Sequence, residues 1–134
     1  MWETVKVPVE LCFEDRGVRC VYRGEVGLPD VLTALRDVEG HHEFGRISYV
    51  LHDCTEIGRF VHGDGPQLDM TASELDSGFG ATRARSAVIA QDDVALHSIE
   101  QCYERAHQNI EVFNSLYEAQ IWADACTGFA DLYP

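Results

Sequence analysis

Residues 50 to 65, VLHDCTEIGRFVHGDG, bring together two histidines, one cysteine, two aspartates and one glutamate. Side chains of these types build three kinds of site: a metal centre, a cysteine–histidine nucleophile, or a pair of carboxylates for acid–base chemistry. Each kind of site requires a particular spacing, which the sequence either provides or lacks.

A zinc centre requires three or four ligands that converge on the ion at roughly 2.0 to 2.3 Å. His52 and Cys54 are two residues apart, so on a strand they share one face while Asp53 points to the other. His62 would have to return to them through a loop, and the chain has neither a C-x-x-C nor an H-x-x-x-H motif. The sequence therefore predicts no metal site.

An enzymatic interpretation would pair Cys54 with His52 or His62, and it requires a lowered thiol pKa. The acidic residues around Cys54 are instead expected to raise the pKa of its thiol. Asp53 and Glu56 could act as an acid–base dyad, but nothing in the sequence fixes the distance between them. We therefore predict no catalytic residue, with a small hydrolase or other enzyme that uses His52, Asp53 and Cys54 as the alternative.

Hydrophobic periodicity predicts the strands that would position these side chains. Two β-rich runs, residues 4–13 and 18–26, flank a short Gly-containing turn and predict a hairpin. Pro8 marks the first of them as an edge strand, where a missing backbone donor is tolerated. Further apolar runs predict strands at residues 47–53, 86–90 and 110–113.

Helices are predicted between these strands. Pro29 and Gly40 bound a helix over residues 27–40. Asp92 and Asp93 are expected to complement the positive end at the start of the third helix, and Ser115 is the expected N-cap of the fourth.

The second helix is predicted from the sequence TASE at residues 71–74, which has the pattern of a capping box. Thr71 is the expected N-cap of a helix reaching residue 83, and Gly78 and Gly80 are expected to make that helix short or irregular.

The predicted order β-β-α-β-α-β-α-β-α indicates an α/β fold. Its core would be a four- to five-stranded mixed, mostly parallel sheet with flanking helices, formed by residues 1–134 as a single domain. Ligands of open α/β sheets bind beyond the carboxyl ends of the strands. The candidate ligand- or partner-binding residues are therefore those at the predicted strand ends: Asp53, Thr55, Glu56, Asp92 and Ser115.

The composition restricts the partners that the protein is expected to bind. The 23 acidic and 10 basic residues give a formal net charge of −13, and no Lys or Arg follows Arg105. Such a surface repels phosphate backbones, so we expect neither nucleic acid nor an anionic membrane as a partner. Five widely spaced cysteines, no basic segment before an apolar run at the start, and no run of eighteen apolar residues predict a cytoplasmic protein without membrane insertion. No cofactor motif is present.

Three segments of the second half resemble the SpoIIAA-like branch of the STAS superfamily: ISYVLHDCTEI, GFGATRARSAVIAQDDVALHSIEQCYERA and IEVFNSLYEAQIWAD. The most specific marks lie near the end of the chain: Val112, Phe113, Ser115, Glu118, Ala119 and Trp122. The resemblance covers roughly residues 18 to 125. It implies a STAS-like mixed sheet and a non-enzymatic regulatory or ligand-binding module, which binds a protein partner or a small, apolar ligand at the strand-end loops.

The resemblance also implies a place for regulation. Anti-sigma-factor antagonists of this family carry a phosphorylated serine at the start of the helix after the third strand, which by spacing falls near Val61 to Gly63. No hydroxyl is present there, so a phosphorylation switch is not expected unless a longer loop brings Thr71 or Ser73 to that place.

A third interpretation of function is self-association. The edge strand that bears Pro8, together with the aromatic residues Tyr117 and Trp122, could support a homodimer.

Overall fold

The computed structural model describes residues 8–80 and 82–132, and their strands form one five-stranded sheet. The strands are β1 (Val9–Glu14), β2 (Gly17–Val26), β3 (Tyr49–Phe60), β4 (Arg85–Ile89) and β5 (Glu111–Phe113). The helices are α1 (Leu28–Glu39), α2 (Gly65–Glu74), α3 (Asp93–Arg105) and α4 (Leu116–Leu132), with a 3-10 turn at Phe44–Arg46 and a π-helical turn at Leu75–Phe79. The spatial order is β1-β2-β3-β4-β5, with β1 antiparallel and the other pairs parallel. This confirms the predicted α/β class and the mixed, mostly parallel sheet.

Both faces of the sheet carry apolar side chains, because successive residues of a strand point to opposite sides. Val50 of β3 belongs to the larger core, which includes residues of α1, α2 and α3. Leu51 belongs to a smaller core that Ala119, Ala123 and Cys126 of α4 cover. The inward-facing residues predicted for α1 are all buried: Leu28, Val31, Leu32, Leu35 and Val38. His52 and Asp53 therefore lie on opposite sides of a sheet that has helices on both faces.

The predicted hairpin, the predicted cap of the last helix and the predicted acidic start of the third helix are confirmed. β1 pairs with β2 and lies at the edge of the sheet, as Pro8 predicted, although the first residues of the predicted strand lie outside the described part of the chain. Asp92 accepts hydrogen bonds from the amides of Val94 and Ala95 at the start of α3. Ser115 Oγ accepts a hydrogen bond from the amide of Glu118 at the start of α4 (3.2 Å).

The third strand continues to Phe60, so the prediction that it ends at Asp53 was wrong. Its pairing with β4 does end at Asp53, opposite Ile89, but β3 continues beside the second half of β2. Ile57 and Phe60 pack against the larger core, which explains why this extension is ordered although its other residues are polar.

The start of the second helix was also predicted wrongly. α2 begins at Gly65, and Thr71 is a buried residue inside it, whose hydroxyl donates to the carbonyl of Gln67 (2.9 Å). The N-cap is Asp64: its carboxylate accepts from the amide of Gln67 (2.8 Å), and the Gln67 side chain accepts from the amide of Asp64 (3.2 Å). The predicted irregularity is confirmed, because α2 ends in the π-helical turn that contains Gly78.

Candidate functional site

His52 lies in the interior of the protein and not in a loop. Its Nδ1 is 2.9 Å from the hydroxyl of Tyr22 on β2, and its Nε2 is 2.7 Å from the hydroxyl of Tyr103 on α3. Burial lowers the pKa of His52 to about 4. In the neutral ring one nitrogen donates and the other accepts, so both are occupied. His52 therefore joins two strands and a helix, and neither nitrogen is available as a base or as a metal ligand.

Cys54 is also part of the interior, with 4% of its surface exposed. Burial raises the pKa of its thiol, and the carboxylates of Asp53 and Asp92 raise it further. A nucleophilic cysteine requires the opposite shift. Cys54 and His52 therefore lack the electrostatics of an activated pair.

Asp53 is 2% exposed and stabilises an irregularity of the sheet. The register between β2 and β3 shifts there, from Val21 opposite Asp53 to Arg23 opposite Glu56, so β3 contains an extra residue. Such a bulge leaves backbone groups without partners in the neighbouring strand. The Asp53 carboxylate accepts hydrogen bonds from the amide (3.0 Å) and the hydroxyl (2.6 Å) of Thr55 and so compensates for the missing pairing.

The other predicted site residues lie at or beyond the carboxyl edge of the sheet. Thr55 and Glu56 are exposed on the extension of β3, where Glu56 forms an ion pair with Arg23 (3.3 Å). Asp92 and Ser115 lie just beyond the ends of β4 and β5, where each caps a helix. Across the part of the chain that the structure describes, no hydrogen bond or ion pair joins Asp53 to Asp92 or to Ser115.

The same edge of the sheet carries a groove that the sequence did not indicate. Its volume is about 520 Å³, and it lies where β2 and β3 end and where α1 and α2 begin. The amide of Val61 donates to the carbonyl of Val26 (2.8 Å) and holds the two strand ends together. The groove is lined by Glu25, Val26, Gly27, Leu28, Pro29, Asp30, Val61, His62, Gly63, Asp64 and Gln67.

Three carboxylates give the groove its charge. Asp30 accepts from the amide of Gly27 (2.9 Å), and Asp64 accepts from the amide of Gln67 (2.8 Å), so capping bonds fix two of these carboxylates in place. Glu25 is the third, and neither Lys nor Arg is among the described residues that line the groove. An acidic groove of this kind favours a cationic or hydrogen-bond-donating group.

The helix starts on either side of the groove have the same sequence pattern, which is the signal that could have revealed it. Each helix has Pro as its second residue and a polar side chain at the third position that bonds back to the N-cap amide: Pro29 and Asp30 in α1, Pro66 and Gln67 in α2. Gly63, which also lines the groove, packs closely on Leu28, because an added Cβ there would overlap the Leu28 side chain.

Two further observations concern metals and membranes. Over residues 8–80 and 82–132, no three side chains of the His, Cys, Asp or Glu types gather closely enough to hold a metal ion. Among the helices of the same residues, none is both long enough and apolar enough to span a bilayer.

Comparison with known proteins shows which solved structures share this architecture. No family model matches the chain, and no curated protein sequence matches it. Solved structures do match it, and two of them are structures of SpoIIAA. The anti-sigma factor antagonist SpoIIAA in its unphosphorylated form matches with a TM-score of 0.55 at 10% identity, over 84% of this chain and 94% of that one. The Bacillus cell fate determinant SpoIIAA in the phosphorylated form matches with a TM-score of 0.53 at 11% identity, over 85% and 97%.

These matches show that the chain has a SpoIIAA-like fold of the STAS type. The resemblance seen in the sequence is thereby confirmed for the architecture of the protein.

Proposed function

We propose that this protein is a non-enzymatic regulatory module that binds a protein partner in the acidic groove between the starts of α1 and α2. The observation that carries the proposal is the groove itself: it is open, and capping bonds fix the carboxylates of Asp30 and Asp64 on its wall. The occupied nitrogens of His52 and the raised pKa of the Cys54 thiol support a binding role over a catalytic one.

Asp64 also supplies a negative charge at the start of α2. The related structures are of SpoIIAA in unphosphorylated and phosphorylated forms. The resemblance implies a phosphorylated serine at the start of the helix after the third strand, and Asp64 is the N-cap of that helix here. A carboxylate carries its charge without a kinase, so we infer a module whose negative charge at this point is permanent.

The chemistry of the groove indicates the kind of partner. Glu25, Asp30 and Asp64 together favour a protein surface that presents Lys or Arg. The groove is less suited to an apolar small ligand. Val61 offers an exposed apolar side chain, but the three carboxylates lie beside it and would be desolvated by such a ligand.

A matched pair of variants tests the proposal. Asn is as good an N-cap as Asp, so Asp64→Asn keeps the start of α2 and removes the charge from the groove. Asp92→Asn makes the same change at the N-cap of α3, outside the groove. Proteins captured from the native host would be purified and titrated against each variant by calorimetry. We expect Asp64→Asn to weaken binding about tenfold or more, as removal of one partner of a close interfacial charge pair does, and Asp92→Asn to leave it unchanged.

The reverse result would assign the partner to a different surface of the protein. If Asp92→Asn weakens binding and Asp64→Asn does not, the partner sits over the ends of β4 and β5, where the sequence placed Asp92 and Ser115. The candidates Asp53, Thr55 and Glu56 would then be tested next as the remaining part of that surface.

Self-association is a second candidate function, and the outer face of α4 favours it. Tyr117 and Ile121 are one turn apart on this helix and are 77% and 53% exposed. Trp122 points instead toward Phe113 and Tyr49. A homodimer through α4 predicts that sedimentation equilibrium gives twice the mass of the chain and that Ile121→Gln returns it to the monomer. A wild type that stays monomeric at about 100 µM would associate more weakly than about −5.5 kcal/mol, and this result would reject the candidate.

A further inference from the structure

The helices α1 and α2 lie side by side and point in the same direction. Their starts form the acidic groove, and their last turns meet again through Arg36 and Glu74. Glu39, the last residue of α1, lies at this second junction and faces the π-helical turn that follows α2. A change at the junction of the last turns can therefore alter how the two helices sit together at the groove.

The carboxyl group of Glu39 is held in an unusual place. Its Oε1 is buried and receives no hydrogen bond from the described part of the protein. It packs directly on the backbone of Gly78, where an added Cβ would overlap it. Leaving a buried carboxylate oxygen without a donor is costly, so this arrangement requires an explanation.

Glu74 supplies that explanation. Its side chain is 17% exposed, and its Oε1 is 2.7 Å from Nε of Arg36, an ion pair that favours its charged form. Glu39 lies close to Glu74, because Gly78, which Glu39 contacts, follows Glu74 by one helical turn, and Arg36, which pairs with Glu74, precedes Glu39 by one turn. Two ionised carboxylates are both acceptors and repel each other, whereas a protonated carboxyl donates to a charged one.

We propose that Glu39 and Glu74 share one proton where the last turns of α1 and α2 meet. Loss of this proton loosens the π-helical turn and the contact between the two helices, which we call the α1–α2 seam. Because Arg36 pairs with Glu74, the proton resides on Glu39. The control of partner binding that follows from this rests on the proposed function of the groove at the other end of the two helices.

The charges around Glu39 agree with this assignment. Burial raises its pKa to about 7, and the contact with Glu74 and the charge of Glu74 act in the same direction, while Arg36 opposes them. Glu74 from α2 and Arg36 from α1 are the charged groups that act on Glu39, and the π-helical turn contributes backbone at Gly78. The pair therefore changes charge near neutral pH, where an ordinary glutamate is fully ionised.

The test is a pH titration of the full chain followed by carbon-13 NMR of the glutamate side-chain carboxyls. We expect Glu39 to titrate near pH 7 in the wild type. In Glu74→Gln the neutral amide can donate to Glu39, so the midpoint should fall by at least about one unit, since the like charge is gone. Asp37→Asn is the matched control: it removes one exposed carboxylate from the same helix and should leave the midpoint unchanged.

Amide hydrogen exchange tests the loosening. The pKa of Glu39 is about 7 when the seam is closed, and we take the ordinary value of 4.5 for the loosened state. Linkage then predicts that amide protection at residues 75–80 falls about tenfold between pH 6 and pH 8. This change is measured beyond the intrinsic rise of the exchange rate with pH. Glu39→Gln, which cannot lose a proton, should show no such loss.

Each outcome decides a part of the proposal. A wild-type midpoint near 4.5, or a midpoint that Glu74→Gln does not move, would overturn the shared proton. A midpoint near 7 with unchanged protection at residues 75–80 would overturn the loosening. If the titration and the exchange behave as expected but Asp64→Asn leaves partner binding unchanged, the proposed function of the groove fails while the proton-sharing pair stands.

Discussion

The single histidine of the third strand shows how much one residue's environment determines its role. In the sequence His52 stands beside Asp53 and Cys54, as in a catalytic cluster. In the fold it joins Tyr22 to Tyr103 across the core. A buried polar chain of this kind is stable while every member has a partner, and it becomes costly once one member is charged.

The pH dependence of stability should report this cost. The pKa of His52 is about 4 in the folded protein and about 6.5 in the unfolded chain. Between these values the unfolded chain binds a proton that the folded protein excludes, so stability is complete above pH 6.5 and falls as the pH is lowered toward 4. The contribution of His52 to the free energy of unfolding should decrease by about 3 kcal/mol over this range.

The measurement is urea unfolding of the wild type and of His52→Gln between pH 7 and pH 4. Carboxylates titrate equally in both proteins, so the difference between them isolates His52 and should shrink as the pH falls. If His52→Gln does not fold, an NMR titration of the wild-type imidazole serves instead. A midpoint near 6.5 would contradict the buried, neutral histidine.

A second prediction at this scale concerns Asp53, which the sequence marked as a binding residue. Because its carboxylate satisfies the amide and the hydroxyl of Thr55, Asp53→Ala should lower the free energy of unfolding by about 1 to 3 kcal/mol. Asp53→Asn keeps an acceptor and should cost less. Chemical denaturation of both variants measures this, and equal costs for the two would show that the bulge does not depend on these hydrogen bonds.

At the scale of elements, the sequence predicted the five strands and four helices in their correct order, because apolar periodicity reports which face of each element is buried. It failed where a local signal has two meanings. Asp64-Gly65-Pro66 is typical of a turn, and here the same residues start a helix. Asp53 ends the pairing with β4, yet β3 continues beside β2 after a bulge. Neither outcome follows from periodicity, since both depend on which neighbour the backbone meets.

The groove was missed for the same reason, although the two similar helix starts that border it are visible in the sequence. Its lining residues come from three separate stretches of the chain, Glu25–Asp30, Val61–Asp64 and Gln67, which meet only when β2 and β3 end side by side. Ser115 was correctly predicted as a helix cap, and Asp92 as an acidic residue at a helix start, because both signals lie within one short stretch of sequence.

The role of Asp64 as a cap yields a prediction for the whole helix. Asp64→Ala removes the acceptor for the Gln67 amide and should destabilise the protein by about 1 kcal/mol, whereas Asp64→Asn should stay within about 0.5 kcal/mol of the wild type. Thermal unfolding measures both. If Asp64→Asn were as destabilising as Asp64→Ala, its effect on partner binding would have to be separated from a change in α2 itself.

At the scale of the whole molecule, the net charge of −13 acts on every element at once. Self-repulsion of the folded state opposes stability, while the surface ion pairs of Arg23, Arg36 and Arg105 act in the other direction. Exposed pairs of this kind contribute about 0 to 1 kcal/mol each, and salt screens them as it screens the repulsion. The sign of the salt effect therefore shows which of the two dominates.

We expect repulsion to dominate, because 23 acidic residues face only 10 basic ones and the chain has no Lys or Arg after Arg105. Raising sodium chloride from about 0.02 M to 0.5 M shortens the screening length from roughly 20 Å to 4 Å, which removes long-range repulsion first. The melting temperature at pH 7.5 should rise by several degrees, about what 1 kcal/mol produces in a domain of this size.

Arg36→Gln breaks the pair with Glu74 and leaves the carboxylates of the α1–α2 seam without a cation, so the salt effect should be larger in this variant. A melting temperature that falls with salt in the wild type would mean that the local ion pairs outweigh the repulsion.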